Sequence, residues 1–286
     1  MILALETATR ACSAALCAAD GSLVTERVAL DGPAHSQLLL PFVREVMDEA
    51  EVSWEAITTV AVGLGPGAFT GLRIGVATAR ALVQAGGAVD GGASTATELR
   101  GDGAGASLAG VPTPAALAIA LAAAPEARPG SLLLPLIDGR RREVFAAVYR
   151  QDGDVLVQVE GVAVVAVTDL AAWLTACAER HVVAGDDPAA SLLVAGDGAL
   201  LYAESLPDSA QLVAGIVAPT AAMVGRAVVC AAPGLVYGPD AVLPLYGRVP
   251  DARPRATAGT AAAVSASRAA VPSAVVAASA SAEDSS

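Results

Sequence analysis

The chain runs through one order of elements twice. Apolar runs at residues 2–5, 12–18 and 23–30, separated by the Thr7-Ala8-Thr9 and Asp20-Gly21 turn signals, read as a β-meander. Leu38, Leu39, Phe42, Val43, Val46 and Met47 then recur at spacings of three and four, which predicts a helix over 35–50 with Ser36 as its N-cap. A buried strand over 57–62, a glycine-rich turn and a helix over 70–85 complete the first half. The second half offers strands over 132–138, 143–150 and 155–159, a helix over 169–179, a strand over 192–195 and a helix over 220–231. Two β-β-β-α-β-α halves restrict the fold to α/β, with two mixed sheets flanked by helices. The expected domains are a lobe over 1–85, a Gly/Ala-rich loop insertion over 86–110, a lobe over 111–250, and an Ala/Ser-rich tail over 251–286 that is expected to be disordered.

Composition removes whole classes of chemistry. All 17 basic residues are arginine, so a phosphate-binding P-loop lysine, a Schiff-base lysine and a pyridoxal-phosphate anchor are excluded. His35 and His181 stand far apart, and Cys12, Cys17, Cys177 and Cys230 form no C-x-x-C pair, so no metal site is expected. The cysteines read as reduced, buried thiols. The formal charge of −12 argues against a chain that grips a nucleic-acid backbone unaided. Six arginines face twelve acids in residues 1–110, eight face fourteen in 111–250, and three face three in 251–286, so both lobes are acidic. The most apolar stretch, 115–124, is too short to span a bilayer, and 212–237 is broken by Pro219, Arg226 and Pro233. The expectation is a cytoplasmic protein without membrane contact.

The most specific segment is Gly63-Leu64-Gly65-Pro66-Gly67-Ala68-Phe69-Thr70-Gly71-Leu72-Arg73-Ile74-Gly75. Glycines after a strand let another backbone or a ligand approach closely, and the free N–H groups opening the next helix attract anions. A tight strand-to-helix turn needs glycine in any case, so phosphate binding and plain turn formation both remain open. On the following helix Leu72, Gly75, Val76, Ala79 and Leu82 share a face, and Gly75 and Ala79 would permit another helix to come close.

The 63–75 run resembles the G-x-G-P-G-[SA]-F-T-G-[LV]-R-[IV]-G signature of the bacterial TsaB (YeaZ) family. Three more segments agree in order: Leu3-Ala4-Leu5-Glu6-Thr7-Ala8-Thr9 with Ala11-Cys12-Ser13, His35-Ser36-Gln37-Leu38-Leu39-Leu40-Pro41, and Asp138-Gly139-Arg140-Arg141-Arg142-Glu143-Val144-Phe145. The match is close over 1–84 and looser over 111–248. It departs in the 86–110 insertion, in Gly139 where alanine is usual, and in the tail.

That resemblance implies two RNase H-like lobes of the actin/Hsp70/sugar-kinase (ASKHA) superfamily. It also implies a non-catalytic partner of TsaD in forming N6-threonylcarbamoyladenosine at position 37 of tRNAs reading codons beginning with A. TsaD would bind directly, TsaE through the complex and tRNA mainly through TsaD, with a homodimer forming when TsaD is absent. No cofactor is required, although ATP or ADP could sit at the complex interface. The implied partner surface lies on the two helices of the first half: Leu38, Leu39, Phe42, Val43 and Val46, with Leu72, Gly75, Val76, Ala79 and Leu82; the alternative is that these stripes cover the lobe's own sheet, and one helix can do both. On that basis Ala79→Arg is expected to abolish partner binding without unfolding. Superfamily ATPases keep a phosphate-facing loop between their first two strands, so Glu6, Thr7, Thr9, Gly65, Gly67, Thr70 and Gly71 form a candidate residual nucleotide site, with turn roles as the alternative. The competing functions are an ASKHA-type ATPase or small-substrate kinase acting alone, and a metallopeptidase, for which the metal ligands are lacking. His35 is expected to serve Ser36 or a nearby backbone group, His181 to sit at a helix C-terminus, and Arg140–Arg142 to be a solvated hairpin tip.

Overall fold

A computed structural model describes residues 1–32, 34–86, 105–152, 155–181 and 192–248. The first meander is β1 (Ile2–Glu6), β2 (Cys12–Cys17) and β3 (Leu23–Ala29), followed by α1 (His35–Glu49), β4 (Thr59–Gly63) and α2 (Phe69–Gly86). Next come β5 (Ser107–Val111) and α3 (Thr113–Ala122). The second meander is β6 (Leu132–Asp138), β7 (Glu143–Asp152) and β8 (Val155–Ala166), then α4 (Leu170–His181), β9 (Leu192–Ala195), α5 (Asp197–Leu201), β10 (Ala210–Leu212), α6 (Ala221–Val229) and β11 (Val236–Tyr237).

The duplication is real at the level of topology. The first sheet runs β3-β2-β1-β4-β5-β11 and the second β8-β7-β6-β9-β10, so five strands take the same relative order in each. In both, the first strand pairs antiparallel with the second and parallel with the fourth. These are the two mixed, helix-flanked sheets of an RNase H-like pair.

Strand periodicity builds five layers from this topology. On β1, Leu3 and Leu5 face α1 and α2, whereas Ile2 and Ala4 face the middle of the molecule. On β6, Leu132, Leu134 and Leu136 face the α4 side, while Leu133 and Ile137 face the middle. The middle layer is α3 and α6, held between the sheets. Every residue of β1 and β2 is buried, which explains why they read as unbroken apolar runs rather than alternating ones.

Several sequence expectations shift. The sequence puts the loop insertion over 86–110 and the second lobe from 111, but β5 occupies 107–111 and belongs to the first sheet; residues 87–104 lie outside the described residues, as does the 251–286 tail. The α3 helix carries no apolar stripe to detect because it is apolar all round and buried on nearly every side. β8 runs to Ala166 rather than 159, paired to β7 along its length. The α1 helix starts at His35 as expected, but its N-cap is Ala34, two residues before Ser36. Cys12, Cys17 and Cys177 are buried, but Cys230, at the C-terminal end of α6, is exposed.

The partner surface changes most. Leu39, Val43, Val46, Leu72, Gly75, Val76 and Ala79 are all buried, turned onto the first sheet, and only Leu38, Phe42 and Leu82 of the expected set remain half-exposed. A side chain at Gly75 would collide with the Thr7 hydroxyl beneath it, so this small residue admits the helix to its own β1–β2 loop and not to a partner. Ala79→Arg would therefore place an unpaired charge in the core at a cost of several kcal/mol. We expect that variant to be insoluble or to lose its cooperative melting transition, checked by thermal denaturation of whatever soluble fraction is recovered.

Candidate functional site

The β1–β2 loop, the glycine turn and the start of α3 meet at Glu6. Its Oε1 accepts the backbone N–H groups of Thr7 at 2.7 Å and Ala8 at 2.6 Å, and its Oε2 accepts the Thr113 hydroxyl at 3.0 Å. The same Thr113 oxygen accepts the Gly65 N–H at 3.1 Å, and the Thr113 N–H donates back to the Gly65 carbonyl at 3.0 Å. One carboxylate thus ties the first strand of one sheet to the helix between both sheets.

The glycine turn lies on this loop with no space between them. A Cβ at Gly67 or Gly71 would fall on the carbonyl oxygens of Ala8 and Thr7 respectively. The Ala68 N–H donates to the Ala8 carbonyl at 2.6 Å and the Thr7 hydroxyl donates to the Gly71 carbonyl at 2.9 Å. Thr9 accepts the Ala11 N–H at 3.1 Å. His35 sits beside two carbonyl oxygens, Thr9 at 3.0 Å and Ala11 at 3.2 Å, so its Nε2 carries the proton and donates. The expected nucleotide-site residues are indeed brought together, but Glu6, Thr7, Thr9, Gly65 and Gly71 are buried and spend their hydrogen bonds on one another; Gly67 is half-buried and Thr70 exposed.

Burial lifts the Glu6 carboxyl to a pKa of about 7 against the pull of its three donors, and the Asp197 carboxylate on the second lobe adds a smaller push in the same direction. Asp197 itself rises to about 6, chiefly through burial, while its Oδ1 accepts the N–H groups of Asp138 and Gly198 at 3.1 Å each. Burial likewise pushes the Cys12 and Cys17 thiols to about 11 and Cys177 to about 12, so none of the three offers a thiolate at neutral pH. Among the described residues no cluster of three or more His, Cys, Asp or Glu is arranged to hold a metal ion. His181 ends α4 and pairs with Glu160 at 2.8 Å.

The segment 242–248 spans the loops of both lobes, and sequence reasoning missed it. Val242 is buried against the first lobe, and the Leu245 N–H donates to the Leu64 carbonyl at 2.7 Å. Gly247 presses on the Phe145 ring, and Arg248 pairs with Glu143 and lies 5.7 Å from that ring's centroid. Thr113 and Asp197 were also missed: each is one polar residue at the start of a helix, with nothing local to mark its distant partner.

The model of the TsaD family, tRNA N6-adenosine threonylcarbamoyltransferase, matches residues 30–87. Uncharacterized proteins of Mycobacterium leprae and Mycobacterium bovis are 32% and 30% identical, each across 89% of this chain; the chain spans 56% of the length of the first and 95% of the second. The Escherichia coli tRNA threonylcarbamoyladenosine biosynthesis protein TsaB is 43% identical over 81 residues, 28% of this chain and 34% of that protein. The solved structure of YeaZ from Pseudomonas aeruginosa superposes with a TM-score of 0.61 at 28% identity, covering 86% of this chain and 98% of that one. The chain belongs to the TsaB/YeaZ family. In this TsaB/YeaZ member the signature glycines serve close contact between the turn and the β1–β2 loop. Among the described residues, no helix is long and apolar enough to cross a membrane.

Between pH 4.5 and 7 the folded protein keeps on Glu6 a proton that the unfolded chain has released. Stability should therefore fall as pH rises through that window, by about 3 kcal/mol from this group. Glu6→Gln is expected to flatten that part of the profile, read from urea unfolding at pH 5 and pH 7.5. Thr113→Val leaves a buried carboxylate oxygen and a buried N–H each short of a partner, and is expected to cost roughly 1–3 kcal/mol in the same assay.

Proposed function

We propose that this chain is the non-catalytic partner subunit of TsaD in forming N6-threonylcarbamoyladenosine at position 37 of tRNAs reading codons beginning with A. TsaE joins through the complex, and the chain works in the cytoplasm. The observation that carries this reading is the span of the TsaD family match. Residues 30–87 comprise α1, β4 and α2, so the helix pair on the outer face of the first lobe is the part of the chain that is TsaD-like. Two proteins that share such a helix pair can meet about a pseudo-two-fold axis, like surface on like surface. The same logic provides a homodimer when TsaD is absent.

The apolar residues of that face available to a partner are Leu40, 54% exposed, with Leu38, Phe42, Ile74 and Leu82 half-buried beside it. Ala77 and Ala81 stand exposed on α2, one turn apart. The internally bonded Glu6 cluster supports the reading of a subunit without chemistry of its own, because the groups that would meet a phosphate are occupied by one another. No cofactor is needed for such a role, and ATP or ADP would sit between the two proteins.

Ala81→Arg is the informative variant, since the side chain points to solvent in the monomer. We expect an unchanged melting temperature and at least a tenfold loss of TsaD co-purification, the tenfold corresponding to about 1.4 kcal/mol of binding. Depletion of the chain should lower threonylcarbamoyladenosine in bulk tRNA by nucleoside analysis. Normal levels, or ATP turnover by the purified chain alone, would replace the proposal with the superfamily ATPase.

A further inference from the structure

Two exposed aromatic rings and five of the 17 arginines gather around the segment 242–248 and the loops it crosses. The Phe69 and Tyr246 rings stack with centroids 5.1 Å apart and 28° between their planes, and the Arg73 guanidinium lies 5.3 Å from the Phe69 centroid. Phe69 is 54% and Tyr246 48% exposed, so ring area that a protein ordinarily buries faces water. Two residues beyond Tyr246, Arg248 donates to the Arg140 carbonyl. The Arg248 side chain thus links the segment that carries Tyr246 to the arginine turn.

The turn holds its arginines outward in an unusual backbone. Arg140, Arg141 and Arg142 have φ of 62°, 54° and 59°, left-handed values that side-chain-bearing residues avoid. Asp138 supports this shape by accepting the Arg140 N–H at 2.9 Å and pairing with its guanidinium at 3.4 Å. All three arginines are exposed, and the Arg142 guanidinium forms no ion pair with a described residue. The chain as a whole carries −12, and within this group Arg140 and Arg248 are paired with Asp138 and Glu143.

We propose that this surface binds single-stranded RNA, with an unpaired base stacked on the Phe69–Tyr246 rings and the adjoining phosphates on Arg142 and its neighbours. Splayed bases on aromatic and guanidinium planes, with arginines along the backbone, are how unpaired RNA is held. A duplex hides its base faces and could use only the arginines. An acidic protein segment would satisfy the arginines and leave the rings without a role. The inference deepens the tRNA-modification reading and rests on it: the chain adds a stacking contact while TsaD carries most of the phosphate grip.

The test is fluorescence anisotropy of a short fluorescein-labelled single-stranded RNA titrated with the full chain across a salt series. A duplex of the same sequence and polyglutamate serve as competitors. Single-stranded RNA should outcompete both. Tyr246→Ala should weaken binding about tenfold without altering the salt slope, because stacking carries no counterion release. Arg142→Gln should reduce that slope by about 0.7, the share of one single-strand phosphate contact. Both positions are exposed, so unchanged melting temperatures confirm folding. No binding by the parent chain at low salt, equal competition by duplex or polyglutamate, or affinity indifferent to both substitutions would each overturn the proposal. The assay contains only this chain and RNA, so its failure leaves TsaD co-purification standing, and the reverse holds too.

Discussion

Two sheets in this molecule share one pair of helices, and how closely they approach it decides the rest. The inner face of the first sheet carries Ala4, Ala15, Ala61 and Ala109 and meets α6, while α3, with Ala115, Ala116 and Ala118, lies between α6 and the second sheet. On α6 the missing side chain of Gly225 leaves room for Cys17 and Ala4. A hydrophobic content of 55% with only 3% aromatics suits such a layer, since dispersion depends on short separations and small side chains allow them. Larger residues here would push the sheets apart and separate the loops that meet at the end of the layer.

Strand order makes the Glu6 cluster. Thr113, the first residue of α3, reaches a carboxylate 107 positions earlier because α3 begins directly after β5, whose end lies beside that of β4 and so close to the end of β1 in the first sheet. Once there, the carboxylate, the Thr7 and Ala8 N–H groups, the Thr113 hydroxyl and the glycine turn satisfy one another. The cluster is a packed joint between the end of β1 and the start of α3. The two surfaces proposed for recognition face outward: the α1–α2 pair, and the arginines and aromatic rings near residues 242–248, which cross from one lobe to the other.

Much of the fold was legible because its strands and outer helices carry strong local patterns. β6 and β9 fall where their apolar runs place them, and α1 and α2 follow their periodicity to within a residue or two. β5 and α3 were not, since Ser107–Val111 is too short and too rich in small residues to show a period, and α3 is apolar on every side. The site was half legible. The residues named around Glu6 do assemble, but periodicity cannot tell a helix face that covers its own sheet from one kept for a partner. Both demand apolar residues at the same spacing, which is why Leu39, Val43, Val46, Leu72, Val76 and Ala79 looked like an interface and are core.

The sequence by itself determined the duplicated β-β-β-α-β-α order, the exclusion of lysine chemistry and the family signature at 63–75, because each is written in local spacing or in residue type. Only the tertiary structure decided what the signature glycines are for, which helix residues face out, and that Phe69 meets Tyr246 beside a turn of three arginines. Those are contacts between positions far apart in the chain. A local pattern records what surroundings a residue can tolerate, and the packing of two sheets on one helical layer decides which neighbours it receives.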